Sequence, residues 1–383
     1  MKILLLAERF GHGHLKAAYN LQKAFGEVAP NLEVKVLTTL NLIGPKIEKI
    51  ASDLYLKILT NTPEIWGYIY EKGHDKEKDR LRWVVALLYK KKLKEVIREF
   101  KPAGIIVTHA FPAVALDYLG YRNYATVITD YDYHAFWLTK NSRFYYVAEE
   151  EIKEKLIEKG YSRDKIYAFG PPIDPIFAGE IDANAVRERY QIREGTKIIL
   201  MMGGGLGLGP LAEAAKTLTD TNKEWVVIVL CGHNQKLYRE LKVLGRRNLI
   251  PVPFTAEVPE YLEAADVVIT KPGGLSTAEA LALGKPLIII NPLPGQEQRN
   301  AEFLQKKGDA LYLTDVLELK IVLSESFFSK EILPLAQKAA ELGKKDASIN
   351  ISRHFLQNIG HNISGGDKDD ASYLSGGRMP FLE

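Results

Sequence analysis

The chain has 383 residues, 46% hydrophobic and 26% charged, which excludes a single small binding module and a disordered or collagen-like chain. Its 51 Lys and Arg against 48 Asp and Glu leave a formal charge of +3, too small an average to imply nucleic acid, so any affinity for phosphate or membrane has to be local. The single cysteine, Cys231, can close no intrachain disulfide and complete no CxxC metal site, which fits a reducing, cytoplasmic compartment; its apolar neighbours make it a buried thiol and not a nucleophile.

Lys2 to Ala7 predicts a buried parallel strand, too short for a signal sequence because Glu8 and Arg9 follow at once, and no apolar run is long enough to span a bilayer. A glycine-bearing turn and a helical pattern over 15–25 come next, the opening of a doubly wound α/β unit. Short apolar runs at 32–38, 104–108, 124–128 and 145–148 continue a mostly parallel sheet. Phe169 to Pro175, with three prolines and a glycine, interrupts regular structure and predicts a hinge. Beyond it the grammar repeats, with strands at 197–202, 225–230, 249–252, 267–270 and 287–290. The length therefore divides into an N-terminal domain over 1–170 and a C-terminal domain over 171–348. A last helix over 349–360 is expected to pack back across the hinge, and 361–383, with two Gly-Gly pairs and little apolar material, reads as a tail.

Three glycine-rich loops follow predicted strands, the place where open α/β sheets bind ligands. The first, Gly11-His12-Gly13-His14, enters a helix and carries a histidine pair able to take a proton near neutral pH. The second holds Gly203, Gly204, Gly205 and Gly207, bare backbone suited to a phosphate, and no Gly-Lys-Ser/Thr follows that would make it a P-loop. The third, Lys271-Pro-Gly273-Gly274-Leu275-Ser276-Thr277-Ala-Glu279, exposes amides at a predicted helix start. There Ser276 or Thr277 is expected to cap the helix, and Glu279, in its first turn, to accept from ribose hydroxyls. Downstream, Gln296, Glu297 and Asn300 offer the amide and carboxylate groups that a sugar needs.

Together, Lys271 to Glu279, Pro294-Gly-Gln-Glu297 with Asn300, and Gly11-x-Gly13-His14 with Ala17-Ala18 resemble the diacylglycerol glycosyltransferase and monogalactosyldiacylglycerol synthase family of family 28, related to the peptidoglycan N-acetylglucosaminyltransferase. Thr129 to Trp137 and Tyr145 to Ala148 are similar to that family's central motif, and the resemblance runs from Met1 to about Leu313. It implies a GT-B fold of two facing Rossmann-like domains, the N-terminal one for acceptor and membrane, the C-terminal one for a UDP-sugar. It implies an inverting hexosyl transfer with the UDP-sugar as donor, no obligatory cofactor and no donor-bound metal. Carried over residue by residue, His14 is the general base. Gly203, Gly204, Gly205, Gly207, Gly273 and Gly274 hold the diphosphate, with Leu275 and Ser276 in the same turn. Glu279 holds the ribose and Phe254 the uracil, while Gln296, Glu297 and Asn300 contact the hexose or its phosphate. His12 stands where the family has glycine or another polar residue.

On the acceptor side the resemblance places Gly13, Asp130, His134 and Trp137. Asp130, Asp132 and His134 would share one face of a strand, a geometry a metal could use; because this lies in the half opposite the donor, Asp130 and His134 are expected instead to line the acceptor side or orient the base. Between Lys72 and Arg98 ten Lys and Arg face four Asp and Glu, with Tyr68, Tyr70, Trp83 and Tyr89 in or beside the run, which suits an anionic membrane surface as well as a solvated helix. The resulting expectation is a peripheral enzyme on the cytoplasmic side of the cell membrane that moves a hexose, glucose before galactose, from a UDP-hexose to diacylglycerol, giving a β-glycosyldiacylglycerol, with processive addition of a second sugar left open. Alternatives are a polyprenyl-linked or other acceptor, a nucleotide-sugar epimerase on the same scaffold, and a non-catalytic nucleotide-sugar sensor.

Overall fold

The computed structural model describes residues 1–10, 12–62, 77–324 and 326–359. Gly11, Tyr68, Tyr70, the first part of the basic run and the expected tail over 361–383 lie outside the described residues.

Two sheets of six parallel strands carry the fold, in the orders β2-β1-β3-β4-β5-β6 and β12-β11-β10-β7-β8-β9. The first comprises β1 (Lys2–Ala7), β2 (Glu33–Thr38), β3 (Gly104–Val107), β4 (Tyr124–Val127), β5 (Phe144–Tyr146) and β6 (Ile166–Tyr167). The second comprises β7 (Ile198–Met202), β8 (Val226–Leu230), β9 (Leu249–Val252), β10 (Val267–Thr270), β11 (Leu287–Ile290) and β12 (Ala310–Leu313). Central strands such as β1 and β7 are apolar on both faces because helices cover both, so Ile3 to Ala7 and Ile198 to Met201 are fully buried. Two strands are not singled out in the sequence: β6, only two residues long, and β12, the four-residue run Ala-Leu-Tyr-Leu.

Strand order reverses beside β1 in the first sheet and between β7 and β10 in the second, and such switch points open a crevice beyond the carboxyl ends of the strands. The loops that leave β1, β7 and β10 are the three glycine-rich segments, and they meet. A Cβ on Gly205 would come within 2.9 Å of the His12 ring, and one on Gly274 within 2.1 Å of the Thr129 carbonyl oxygen. The two sheets thus face one shared cleft.

The last helix, Ala347–Ile359, returns to the first sheet and buries Ile351, Phe355 and Ile359 among Ile3, Leu5 and Phe25. Gly104 is what lets it approach, since a Cβ there would lie 2.7 Å from the Phe355 ring. At the hinge, Lys344 Nζ donates to the carbonyls of Ala148 (2.9 Å) and Ala168 (3.0 Å) and pairs with Glu149 at 2.8 Å, tying the start of that return to the end of the first sheet.

A candidate active-site cleft

The cleft has a volume of about 1030 Å³. One wall comes from the helix Gly13–Val28, which begins directly after the β1 loop, and from the helix Pro45–Asn61. His14 lies in the first turn of the former, half-buried. Its Nδ1 lies 2.8 Å from the Thr108 carbonyl oxygen, which can only accept, so Nδ1 carries the proton and Nε2 is left as the basic nitrogen. Thr108 Oγ1 donates to the His14 carbonyl at 2.8 Å, fixing the backbone of the same residue. Burial holds His14 below the usual histidine range, against the upward pull of Asp130 and the Thr108 bond, so the imidazole is neutral near pH 7.

Thr129 Oγ1 sits 3.2 Å from His14 Nδ1 and donates to Asp130 Oδ2 at 3.3 Å, a two-step link from imidazole to carboxylate. Asp130 also accepts from Asn300 Nδ2 at 3.0 Å and from Gln296 Nε2. Burial raises its pKa, while His14, Asn300, Gln296 and Thr129 draw it back. Asp132 instead pairs with Arg299 at 2.9 Å. The shared strand face expected for Asp130, Asp132 and His134 does not exist, because β4 ends at Val127 and the chain bends through these residues. Their carboxylates are satisfied across the cleft, and among the described residues no group of three metal-ligating side chains forms.

His134 and Trp137 stand back from the cleft surface. His134 Nδ1 accepts from the Phe136 amide at 3.2 Å and its ring stacks on Phe136, while Trp137 is buried with its ring 6.0 Å from that of His14. Both rings neighbour His109, missed in the sequence, whose ring lies edge-on 4.8 Å from that of His14 and 6.2 Å from that of Trp137. Burial, and then the charge of His14, hold it well below the ordinary range. Its only sequence signal is its position two residues past the end of β3, at the switch point.

The opposite wall is built on the second sheet. Gly203, Gly204, Gly205, Gly273, Gly274, Leu275, Ser276, Glu279, Phe254, Gln296 and Glu297 all line the cleft. Gly207 does not: at φ +58° a Cβ there would fall 2.0 Å from the Cys231 carbonyl, so its backbone freedom shapes the loop and not the ligand surface. Asn300 is fully buried and spent on Asp130, on the Pro272 carbonyl (3.0 Å) and on the Tyr131 amide (2.9 Å), so it braces the site and offers nothing to a sugar.

The helix Gly274–Ala282 points its N-terminus at the cleft, with Gly273 as its extended cap. Neither Ser276 nor Thr277 caps it: Thr277 Oγ1 donates back to the Gly273 carbonyl at 2.9 Å, leaving the first-turn amides for a ligand. Glu279 belongs to the second turn, is buried and forms a 2.5 Å ion pair with Lys16 of the facing wall. Lys16 escaped the sequence analysis, yet a cation in the first turns of a helix sits at the wrong end of the dipole and calls for an anionic partner.

Lys271, at the end of β10, pairs with Glu297, whose other oxygen accepts from the Leu293 amide at 3.1 Å. A Cβ on Gly204 would touch the Lys271 side chain at 3.3 Å, which puts this ammonium beside the glycine loop. Phe254 is 55% exposed and stacks on His233 with ring centres 4.1 Å apart at 13°, an aromatic platform at the cleft edge. The arrangement holds a neutral, correctly tautomeric base on one wall and amides with the Lys271 ammonium on the other, while Lys16 reaches across from the base's own wall. Chemically it can deprotonate a hydroxyl while stabilising negative charge on a departing group.

Comparison with known proteins agrees on both halves of the chain. Residues 14–173 match the family described as monogalactosyldiacylglycerol (MGDG) synthase, and residues 198–353 match the glycosyltransferase family 28 C-terminal domain. A processive diacylglycerol beta-glucosyltransferase of Bacillus pumilus is 30% identical over 333 residues, 83% of this chain and 85% of the relative. Among solved structures, MurG of Acinetobacter baumannii superposes with a TM-score of 0.57 at 14% identity, covering 93% of this chain and 99% of that one. The UDP-GlcNAc 2-epimerase of Neisseria meningitidis bound to UDP-GlcNAc gives 0.59 at 15%, covering 94% and 100%; at such identities the likeness concerns the fold alone.

Proposed function

The chain belongs to the diacylglycerol glycosyltransferase and monogalactosyldiacylglycerol synthase family, and on that footing we propose that its cleft transfers a hexose, glucose first, from a UDP-sugar to the free hydroxyl of diacylglycerol. The observation that carries the reading is the tautomer of His14. With Nδ1–H committed to Thr108, Nε2 faces the acceptor as a base, and the link through Thr129 to Asp130 stabilises the imidazolium once the proton has arrived. The acceptor oxygen attacks the anomeric carbon, the bond from that carbon to the diphosphate breaks, and the electron pair leaves on UDP. The amides of Gly204, Gly205, Gly273 and Gly274, with Lys271 and Lys16, take up the charge on the diphosphate; the stack of His233 and Phe254 receives the uracil; Glu279 shares its carboxylate between Lys16 and the ribose. Base and leaving group on opposite walls make a single displacement, which inverts an α-linked donor to a β-glycoside.

The acceptor is a lipid, and no described helix is long and apolar enough to cross a membrane. Two helices, the first of which lines the cleft, supply the contact. The helix Pro45–Asn61 exposes Ile47, Ile50 and Leu54 along one face, and the helix Glu77–Phe100 exposes Trp83, Val84, Leu87 and Leu88 just ahead of Lys91 and Lys92. Apolar and aromatic side chains beside lysines suit the interface of an anionic bilayer, the cytoplasmic leaflet being the anionic one. Incubation with UDP-glucose or UDP-galactose and diacylglycerol vesicles tests the reading. It predicts UDP and a monoglycosyl lipid in equal amounts; turnover of the nucleotide sugar to free sugar or its epimer without any lipid would instead favour the epimerase alternative.

A further inference from the structure

His12 stands at the N-cap of the helix Gly13–Val28, yet its side chain makes no capping hydrogen bond and reaches the opposite wall instead. A Cβ on Gly205 would lie 2.9 Å from its Cγ and 3.1 Å from its Cδ2, so the imidazole rests on bare backbone of the glycine loop that leaves β7. A glycine at 205 is what leaves room for it. Both residues line the cleft. Ring nitrogens of His14, His109, His134 and His354 are engaged by Thr108, the Phe111 amide, the Phe136 amide and the Tyr146 hydroxyl. Those of His12 hold no hydrogen bond among the described residues, and the residue is exposed to the cleft.

Two basic groups bear on this ring. Arg9 lies on the same wall, 3.7 Å from Glu48. The ring of His233 faces it from the donor wall, with centres 5.5 Å apart, and stacks in turn on Phe254. Beside them Lys271, paired with Glu297, reaches the neighbouring Gly204. Burial, then the charges of His233 and Arg9, hold His12 below the ordinary histidine range and neutral near pH 7. A diphosphate at Gly204 and Gly205 reverses that balance, because an opposite charge within about 4–6 Å favours the charged form by about 10- to 1000-fold.

We propose that His12 is a second catalytic histidine, which holds the β-phosphate of the nucleotide sugar as an imidazolium and offsets the charge that the diphosphate gains as it leaves. The inference rests on the proposed UDP-sugar donor with its diphosphate at the glycine loop. The ring takes a proton from solvent when the donor binds and returns it when UDP is released. No proton passes from it to the sugar, and the acceptor's proton still goes to His14 Nε2. The bond from the anomeric carbon to the diphosphate oxygen breaks with its electron pair on UDP, next to a cation already in place.

Calorimetric titration with UDP-glucose in two buffers of different ionisation enthalpy tests this, since neither phosphate of that donor titrates near neutral pH. Wild type is expected to take up between about a half and one proton per donor bound at pH 7, and to bind more tightly as pH falls from 8 to 6. His12→Gln should lose the uptake, and its kcat at pH 7 should fall about 10- to 100-fold, the worth of a hydrogen bond to a charged group. His12→Lys, a fixed cation, should bind without uptake and recover much of the lost rate, which a merely structural histidine would not allow. Wild type binding UDP-glucose with no uptake, undiminished uptake in His12→Gln, or His12→Lys no faster than His12→Gln would each overturn the role of His12. Wild type that binds neither UDP-glucose nor UDP-galactose would instead overturn the donor reading beneath it.

Discussion

Asn300 Nδ2 donates to Asp130 Oδ1 at 3.0 Å, joining residues 170 positions apart and on opposite walls of the cleft. The same carboxylate reaches His14 through Thr129, so one buried group both bridges the two walls and bears on the electrostatics of the base. Because the charge of Asp130 pulls the His14 pKa upward, Asp130→Asn should move the acid limb of kcat/KM to lower pH while lowering kcat. A pH profile of the variant with an unmoved limb would break the link.

His14→Ala removes the base without touching the donor wall. The expected loss in kcat is about 10²–10⁴-fold, with UDP affinity unchanged by calorimetry. Since burial holds this histidine below its ordinary range, wild-type activity should persist as pH falls through 6.5 and decline only beneath it.

Lys271 is paired with Glu297 in the structure and borders Gly204, where the diphosphate is proposed to lie. Lys271→Gln should weaken UDP binding about 10- to 100-fold, the range of a charge-assisted hydrogen bond, and also lower the melting temperature, because the largely buried Glu297 carboxylate loses its ion-pair partner. An unaltered UDP dissociation constant would move the diphosphate elsewhere.

Glu8 provides a stability test independent of catalysis. Burial pushes its carboxyl up to about 8, the Leu40 amide and Tyr89 hydroxyl pulling back and Glu48 pushing further. A carboxyl raised in the folded state binds its proton more tightly there than in the unfolded chain. Its contribution is therefore fully present below the ordinary pKa of 4.5 and is lost as pH rises through about 8. Melting temperature should fall from pH 5 to pH 8 in wild type, and Glu8→Gln should flatten that slope, a difference on the order of a few kcal/mol. Parallel curves for the two proteins would contradict it.

Exposed Trp83 and Leu88 are expected to enter the bilayer interface. Trp83→Glu with Leu88→Glu should reduce sedimentation with phosphatidylglycerol vesicles and lipid glycosylation together, with UDP binding intact, and high salt should weaken the wild type in the same way.

Much of this was legible in the sequence because it is local. The strands β1, β7 and β10 are continuous apolar runs, and each ends in a glycine turn at a switch point, so the three loops and His14 could be found one after another. What could not be read depends on the distant half of the chain. Asn300 looks like a sugar ligand beside Gln296 and Glu297 until Asp130 arrives to occupy it. Glu279 looks free for a ribose until Lys16 pairs with it from 263 residues away. Thr277 looks like a helix cap, yet its hydroxyl finds the Gly273 carbonyl behind it. Gly207 looks like a phosphate contact, but the Cys231 carbonyl forbids any side chain there.

In the proposed transfer, base and diphosphate act from opposite walls in a single displacement onto a lipid hydroxyl. The most direct measurement is the anomeric configuration of the lipid product formed from α-linked UDP-glucose and diacylglycerol vesicles, read from the proton coupling at the sugar's first carbon. The structure predicts a β-glucoside, made by wild type and nearly lost in His14→Ala. An α-glucoside, or wild-type rates in the variant, would contradict it.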